Sequence, residues 1–335
     1  MTPTSLGGAF GVEFADSVLE ASVRLGLDQI EQALRVAVQS EDAFVADVAS
    51  HLVAAGGKRF RPLVSVLAAH FGDPRRAQVV PAAVVVELTH LATLYHDDVM
   101  DEAPVRRGAP SANTRWGNTV AILTGDFLFS RASNLLADLG PEAVRIQAAT
   151  FERLVKGQIH ETVGPAAGAD RIEHYLGVLA DKTGSLIATA AEFGASFAGV
   201  DPELIDVLRA FGEQIGVAFQ ISDDILDIAS DSAESGKTPG TDLREGVATL
   251  PVLYALDSAD PAQARLRELV GAAITDDADH AEALALLRKS PALPRARSTL
   301  QNYADSARTM LAPLPDVPAR AALEALTYTV IARTG

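Results

Sequence analysis

The chain has 335 residues, 48% hydrophobic and 21% charged, so it is long and apolar enough to bury a sizeable core. Its formal net charge of -16 argues against a broad nucleic-acid surface, because binding to a phosphate backbone requires a basic face. Cysteine is absent, which excludes disulfides, a thiol nucleophile and cysteine metal sites.

Two features bear on the location of the protein. Met1–Val23 contain no Lys or Arg, whereas a secretory signal begins with a basic segment. The apolar stretch Val79–Leu94 is interrupted by Glu87 and His90, which makes it too short and too polar to span a bilayer. We therefore expect a soluble, cytoplasmic protein with no stable membrane anchor.

The chain reads as helix throughout. Apolar positions recur at helical spacing from about Phe14 onwards, and short Gly, Pro and Asp turns interrupt them. Aromatic residues make up only 5%, Ala and Leu are frequent, and no strand-like alternation is sustained. The sequence predicts an all-α fold with a single domain over residues 1–335. We expect a bundle of roughly ten or more helices, with residues 1–15 loosely ordered.

The first chemical motif is basic. Gly56–Pro62 reads GGKRFRP and places Lys58, Arg59 and Arg61 in a turn that opens a helix. Backbone N–H groups at a helix start favour anions, and the cations add to that preference. A run this short in so acidic a chain does not suit a general polyanion patch. It predicts a phosphate-binding turn.

The second motif closes the apolar helix with Asp97, Asp98 and Asp101. Positions i and i+4 share a helix face, so Asp97 and Asp101 stack. Carboxylates there repel each other and oppose the helix dipole, so a cation should offset both costs. Magnesium prefers such oxygen ligands and bridges to phosphates. The next basic pair, Arg106 and Arg107, suits a metal-bound diphosphate, whereas a solvated acidic helix end is the alternative.

The same spacing recurs at Asp223, Asp224 and Asp227, again on a helix that is apolar on most sides. Carboxylates on inner helices are rarely there for solubility. If the two helices face each other, six carboxylates line one cavity, which could hold more than one divalent ion around a diphosphate. The Gly-rich segment Ser230–Gly246 follows and is read as a lid or a charged surface loop.

These motifs, in this order, resemble the trans-type isoprenyl diphosphate synthases, or polyprenyl synthetase family. The resemblance covers about residues 20–335. It rests on GGKRFRP at Gly56–Pro62, DDVMDEAPVRRG at Asp97–Gly108, the pair Lys182–Thr183, FQISDDILD at Phe219–Asp227 and GKTPGTDLREG at Gly236–Gly246. It implies the isoprenoid synthase type of all-α fold, with helices around a central cavity.

The resemblance also implies residue roles. Magnesium, about three ions per site when diphosphate is bound, would be held by Asp97, Asp98, Asp101, Asp223 and Asp227, with Asp224 behind them. The allylic diphosphate would contact Arg106, Lys182, Lys237 and Gln220. Isopentenyl diphosphate would contact Lys58, Arg61, His90 and Arg107. Thr183 and Gln220 would flank the developing cation.

The implied reaction is ionisation of the allylic diphosphate, attack by isopentenyl diphosphate and loss of a proton. One position departs from the family pattern, because Val247 stands where Lys is common after the last loop glycine. Some charge support for the diphosphate is therefore expected to come from elsewhere. Zinc is not expected, since no convergent His or Cys set accompanies His90 and His96.

Product length is read from the helix below the first acidic motif, where the family's growing chain runs. One turn rises about 5.4 Å, close to one isoprene unit. Short-chain family members often carry an aromatic stopper four or five residues before the motif. The positions here are small or non-aromatic: Ala92, Thr93, Leu88 and Thr89. This predicts a long-chain product (C30–C50) from a farnesyl or geranylgeranyl primer, as for a quinone side chain, unless Phe127, Phe129 or Phe151 forms a floor.

Three alternatives remain at this stage. A geranylgeranyl or farnesyl diphosphate synthase would share the chemistry with a shorter tunnel. A terpene cyclase would lack the basic turn and the second acidic motif. A non-catalytic subunit of a heteromeric synthase would lack one acidic motif. The resemblance further implies a homodimer.

Overall fold

The computed structural model describes residues 12–230 and 239–334. Within these ranges the only strands form a hairpin that pairs Val105–Arg106 with Ala109–Pro110. The all-α prediction is confirmed. The helices, in chain order, are α1 Ser17–Ala37, α2 Ala43–Ala54, α3 Phe60–Ala69, α4 Val79–Met100, α5 Ala112–Trp116, α6 Asn118–Leu139, α7 Pro141–Val163, α8 Arg171–Leu179, α9 Ser185–Ala198, α10 Pro202–Ala229, α11 Thr241–Glu245, α12 Leu250–Leu256, α13 Ala264–Leu269, α14 Asp277–Lys289, α15 Ala292–Met310 and α16 Pro318–Ala332. A π turn, Ala180–Gly184, joins α8 to α9, and a 3-10 turn, Pro261–Gln263, precedes α13.

The helices group into two compact units that interleave along the chain. The first unit contains the residues up to Glu152, Leu186–Gly212 and Pro313–Ala325. The second contains Arg153–Ser185, Glu213–Ala312 and the residues from Leu326 onward. The single domain expected from the sequence therefore stays a prediction. Of its loosely ordered start, residues 1–11 lie outside the described chain, and Val12 is buried.

Helix α4 is the core of the first unit and packs against α1, α3 and α6. The eight residues from Ala82 to Thr89 are all buried, including Glu87. With 22 residues, α4 is long and apolar enough to cross a membrane, so the length argument made from the sequence was wrong. Its burial indicates a core helix instead, because 67% of its most apolar window lies inside the protein.

Two long helices supply the scaffold of the second unit. One is α10, whose later part carries the second acidic motif and has a buried apolar face. The other is α15, which packs against α12 through buried apolar residues. Ser222 of α10 donates to the carbonyl of Val330 in α16 at 3.0 Å, which ties the acidic segment to the end of the chain. The π turn lies beside the C-terminal half of α7, at Gly157. A Cβ at this position would lie 2.8 Å from the backbone nitrogen of Lys182, so there is no room for a side chain.

Candidate active site

The basic turn is held in place by a buried ion triad. Arg59 adopts a left-handed conformation (φ 53°) and begins α3. Its guanidinium donates to Glu87 at 2.9 Å and to Glu31 at 2.8 Å. Burial lowers the pKa of Arg59, but the charges of Glu87 and Glu31 outweigh it and raise that pKa. Arg59 is thus a fixed support, while Lys58 and Arg61 flank it on the same turn.

A second arginine fastens the glycines of this turn. Arg107 donates to the carbonyls of Leu52, at 3.0 Å, and Gly56. A Cβ on Gly57 would lie 2.9 Å from the Arg107 Cζ, so only glycine fits against the guanidinium. One terminal nitrogen of Arg107 therefore binds backbone carbonyls, whereas the family resemblance implied that Arg107 contacts isopentenyl diphosphate.

His90 is surrounded by positive charge. Burial and then the charges of Arg61, Arg107, Arg59 and Arg106 lower the pKa of His90 well below its ordinary value. The imidazole is therefore neutral at pH 7, where it can accept or donate a hydrogen bond. The charges of these four arginines, the arginine cluster, all reach the imidazole, although Arg59 and Arg106 are also paired with carboxylates; such a group suits a multiply charged anion.

The first acidic motif lies at the end of α4, as the spacing indicated. Asp97 is half-buried, Asp101 is exposed, and Asp98 is fully buried. Asp98 Oδ1 accepts from Arg106 Nε at 2.6 Å, whereas its buried Oδ2 has no hydrogen-bond partner among the described residues. Burial raises the pKa of Asp98 despite the opposing charge of Arg106. The unpaired oxygen is a ligand position that a cation could fill.

The second acidic motif has different partners. Asp224 is buried; the Tyr175 hydroxyl donates to its Oδ2 and Gln220 Nε2 donates to its Oδ1 at 3.0 Å. Burial raises the pKa of Asp224 to about 7, against the effect of both hydrogen bonds. Neutral donors, not arginine, thus hold this carboxyl.

A hydrogen-bonded chain continues from Asp224 to the π turn. Because Gln220 Nε2 donates to Asp224, its Oε1 is free to accept from Thr183 Oγ1, at 3.2 Å. Tyr175, Asp224, Gln220 and Thr183 form one connected series. Thr183 and Gln220, which the resemblance placed beside the developing cation, are thus in contact, and their role there stays a prediction.

The π turn is clamped by ion pairs. Arg153 binds Asp181 at 2.8 Å and Glu213 at 2.9 Å, and so joins the turn to α7 and α10. Lys182 binds Glu161 at 2.5 Å, so this expected diphosphate contact has an internal partner in the ligand-free chain. Substrate would have to replace Glu161.

The other two carboxylates of the second acidic motif also have hydrogen-bond or ion-pair partners. Asp223 pairs with Arg333, whose guanidinium lies 4.8 Å from the centre of the Phe219 ring. The carboxylate of Asp227 accepts from the backbone nitrogens of Thr241, at 3.2 Å, and Asp242, at 3.3 Å, and so holds the start of α11. Lys237, the predicted loop contact, lies outside the described residues.

The donor types fit a divalent cation, although the side chains are not gathered around one. Among residues 12–230 and 239–334, no three His, Asp or Glu side chains are close enough to hold a metal ion. Arg106, Arg333 and Tyr175 instead occupy carboxylate oxygens of the two motifs. Hard oxygens and the unpaired Asp98 Oδ2 match magnesium. The predicted ligand sets remain predictions.

The predicted chain-length residues lie in the packed core of the first unit. Leu88, Thr89 and Ala92 have no exposed surface, and Thr93 is half-buried. Of the proposed floor residues, Phe129 and Phe151 stack edge-on at 4.7 Å, and Phe127 lies under Arg131. Small side chains at these positions therefore do not by themselves leave an open tunnel.

Sequence reasoning missed several residues of the site. Glu87 was visible as an interruption of an apolar helix, but its role as the partner of Arg59 was not. Tyr175, Arg153, Glu161 and Arg333 carry no local pattern, because each acts on a motif far along the chain.

Comparisons with known proteins agree on the class of protein. The model of the polyprenyl synthetase family matches residues 42–287. The chain is 54% identical over 326 residues to nonaprenyl diphosphate synthase of Mycobacterium tuberculosis, with 97% of each chain covered. It is 45% identical to a dimethylallyltranstransferase of the same organism, covering 94% of this chain and 96% of that protein.

One solved structure is about as similar in sequence to this chain as these two relatives are. Geranylgeranyl pyrophosphate synthase from Corynebacterium glutamicum, complexed with calcium and isoprenyl diphosphate, has a TM-score of 0.86 and 48% identity. The match covers 97% of this chain and 100% of that chain.

Proposed function

This chain belongs to the polyprenyl synthetase family, and from that premise we propose that it joins isopentenyl diphosphate to an allylic diphosphate and makes a long-chain all-trans polyprenyl diphosphate (C30–C50). Its reaction class is that of a trans-prenyltransferase. Farnesyl or geranylgeranyl diphosphate would serve as primer, and a quinone side chain is the proposed use.

One observation in the first unit carries this proposal. The buried carboxylate of Asp98 and the guanidinium of Arg106 form an ion pair at 2.6 Å, at the edge of the arginine cluster around His90. A cation-binding group thus touches an anion-binding group. A metal-bound diphosphate requires that combination, because its metal seeks oxygen ligands and its phosphates seek cations.

The proposed residue roles follow from these contacts. Lys182 and Arg106 leave Glu161 and Asp98 and bind the allylic diphosphate, which stabilises it as a leaving group. Magnesium, about three ions per site when held by Asp97, Asp98, Asp101, Asp223 and Asp227, would supply further charge neutralisation to the leaving diphosphate.

The neutral groups of the second unit have a separate task. The Gln220 carbonyl and the Thr183 hydroxyl present oxygen dipoles next to each other, which suits an allylic cation. Neither is a strong nucleophile, so they can stabilise the cation without trapping it. Lys58, Arg61 and His90 would meanwhile hold isopentenyl diphosphate, with Lys237 closing over the allylic diphosphate.

The apolar product has to grow away from these charges into the protein. Thr93, Ala92, Thr89 and Leu88, below Asp97 on α4, are small or aliphatic, so we propose that the chain runs past them. The 54% identity to a nonaprenyl synthase supports a long product.

A geranylgeranyl diphosphate synthase is the second candidate. It is favoured by the 48% identity to the Corynebacterium enzyme and by the complete burial of Ala92, Leu88 and Thr89. Both candidates share the metal, the substrates and the site. They differ only in where elongation stops.

A homodimer is proposed for the assembly. Helix α7 exposes Val144, Phe151, Val155 and Ile159, spaced by seven, four and four residues along one helix face. A long exposed apolar stripe of this kind is typical of a subunit interface. We further propose a cytoplasmic location with no membrane anchor.

The test is a product-length assay. The purified chain is incubated with Mg2+, isopentenyl diphosphate and each allylic primer, and the dephosphorylated products are separated by length. Products beyond geranylgeranyl support the first candidate, and an end point at geranylgeranyl or farnesyl supports the second. No product with any primer would refute both and favour a non-catalytic subunit.

A further inference from the structure

Gln147 of α7 is a buried amide with an unmatched oxygen. Its side chain is only 7% exposed, and Nε2 donates to Thr89 Oγ1 of α4 at 2.8 Å. Thr89 Oγ1 in turn donates to the Val85 carbonyl at 2.9 Å. Gln147 Oε1 is buried and has no hydrogen-bond partner among the described residues.

The neighbouring polar pair on α7 shows what a purely structural contact looks like here. Thr150, one turn further along, bonds Thr189 at 2.6 Å and the Ile146 carbonyl at 2.9 Å. The Thr150 hydroxyl therefore has a partner for both of its hydrogen bonds, and a structural role is enough to explain it. Gln147 instead keeps an unsatisfied atom in the core, which is costly and calls for another reason.

The position of the pair supplies that reason. Thr89 lies eight residues before Asp97 on α4, about 12 Å below the first acidic motif at 1.5 Å per residue. A chain that grows from the diphosphate along α4 meets the Gln147–Thr89 hydrogen bond after about two isoprene units. Thr89 has no exposed surface, so a chain that takes the proposed path has to separate packed side chains at that depth.

We propose that Gln147 is the residue that controls product length, as a hydrogen-bonded gate across the path of the growing chain. The inference rests on the proposed prenyltransferase function and on the proposed path along α4. The Gln147–Thr89 hydrogen bond closes the gate, which opens when the elongating chain displaces the amide from Thr89.

A gate fits the physical chemistry better than a fixed floor. Opening it breaks one neutral hydrogen bond and leaves the Gln147 amide nitrogen unpaired, at a cost of about 1–3 kcal/mol. Each added isoprene unit buries five further carbons, a larger gain than the bond that is lost. The amide also rotates about flexible torsions, whereas a wedged aromatic ring would not.

Two substitutions at this position test the gate in opposite directions. Gln147→Phe replaces the displaceable amide with a bulky ring, and Gln147→Ala removes the obstruction. Each variant is incubated with isopentenyl diphosphate, Mg2+ and either dimethylallyl or farnesyl diphosphate, and the product lengths and the rate of the first condensation are measured. Gln147→Phe should keep the first condensation of dimethylallyl diphosphate, whose product has two isoprene units, and lose that of farnesyl diphosphate, whose three units already pass the gate. Gln147→Ala should shift the main product upward by about one isoprene unit, the length of one helical turn.

The matched control is Thr150→Val, which removes one buried hydroxyl from the same helix, and with it the bond to Thr189, without changing the shape of the side chain. It should keep the wild-type product lengths. A merely structural role for Gln147 would lower the melting temperature and all condensations together, and would leave the product pattern unchanged.

The outcomes separate this inference from the function on which it rests. Folded Gln147→Ala protein with wild-type product lengths overturns the gate, even if Gln147→Phe does not fold. Wild-type protein that forms no product with any primer overturns the proposed function instead.

Discussion

The two acidic motifs share one spacing but lie in opposite chemical surroundings. Asp98, in the first unit, is paired with Arg106 beside a cluster of arginines. Asp224, in the second, is held by the hydroxyl of Tyr175 and the amide of Gln220, and burial raises its pKa to about 7. Equal sequence patterns therefore do not imply equal protonation or equal roles.

The difference suggests a division of labour. The first unit concentrates fixed positive charge, which suits diphosphate binding. The second presents neutral dipoles around Thr183, which suit a transient carbocation. Each unit would be poorly equipped for the other task, since arginines would repel a carbocation and neutral dipoles hold diphosphate weakly.

The largest effect should come from exchanging the equivalent carboxyls for amides. Asp98→Asn removes the charge that Arg106 and a metal require, and kcat should fall by about 10²–10³-fold. Asp224→Asn removes only part of a negative charge, because the pKa of Asp224 is about 7, but turns one of its two accepting oxygens into a donor, and should cost about tenfold. Steady-state kinetics with saturating Mg2+ measure both. Equal losses would mean that the two motifs work alike.

Removing one hydroxyl should show that Tyr175 positions the second motif. Tyr175→Phe takes a donor from Asp224 and loosens Gln220, so kcat should fall by about tenfold, the equivalent of roughly 1.4 kcal/mol. Isopentenyl diphosphate KM should not change, because its contacts are elsewhere. The control is Tyr254→Phe, which loses a comparable hydroxyl contact to Thr299 at 2.8 Å. A similar loss of kcat in the control would argue for a general packing effect.

A smaller effect is expected from the cation that occupies Asp223. Arg333→Gln frees this carboxylate, and the Mg2+ concentration for half-saturation should fall by about threefold, since a partly exposed ion pair contributes under about 1 kcal/mol. Calorimetric titration of Mg2+ in the presence of an unreactive allylic diphosphate analogue measures this. Arg308→Gln is matched, because Arg308 also pairs with an aspartate and lies over an aromatic ring. Weaker Mg2+ binding by Arg333→Gln alone would mean that this arginine assists the metal complex.

The last effect acts on stability rather than on activity and concerns His90 and pH. Because its pKa is lowered in the folded chain, the unfolded chain takes up a proton first as pH falls through about 6.5. Stability should then fall with pH by up to about 1.4 kcal/mol per unit. His90→Gln should lack this component. Urea unfolding at pH 7.5 and 5.5 gives the difference, and equal slopes for both proteins would contradict a neutral, arginine-surrounded imidazole.

Local motifs were predictable because their geometry is set by helix periodicity. Asp97 and Asp101 fall one turn apart wherever a helix forms, and GGKRFRP opens a helix because Gly56 and Gly57 permit the turn. The partners were not predictable. Tyr175 is 49 residues from Asp224, and Arg333 is 110 residues from Asp223, so only folding brings them together.

The chain-length argument shows the limit of side-chain size as a guide. Ala92 and Thr93 are small, as an open path would need, yet Ala92 is fully buried because neighbouring helices fill the space. The proposed gate, Gln147, contacts α4 two turns below the motif, but lies 58 residues from Thr89 and on another helix. Periodicity along α4 alone carries no information about that residue.

The π turn at Ala180–Gly184 makes the number of residues here as important as their identity. A π turn holds one residue more than an α-helical turn, and each residue of a regular helix rotates the next by about 100°. Deleting one residue would let α8 and α9 join as a straight α-helix. Such a deletion would rotate the residues on one side of it by about 100° relative to those on the other, and would turn Lys182 and Thr183 away from Glu161 and Gln220. The extra residue thus works as a phase shift, which sets the direction in which the side chains of the turn point.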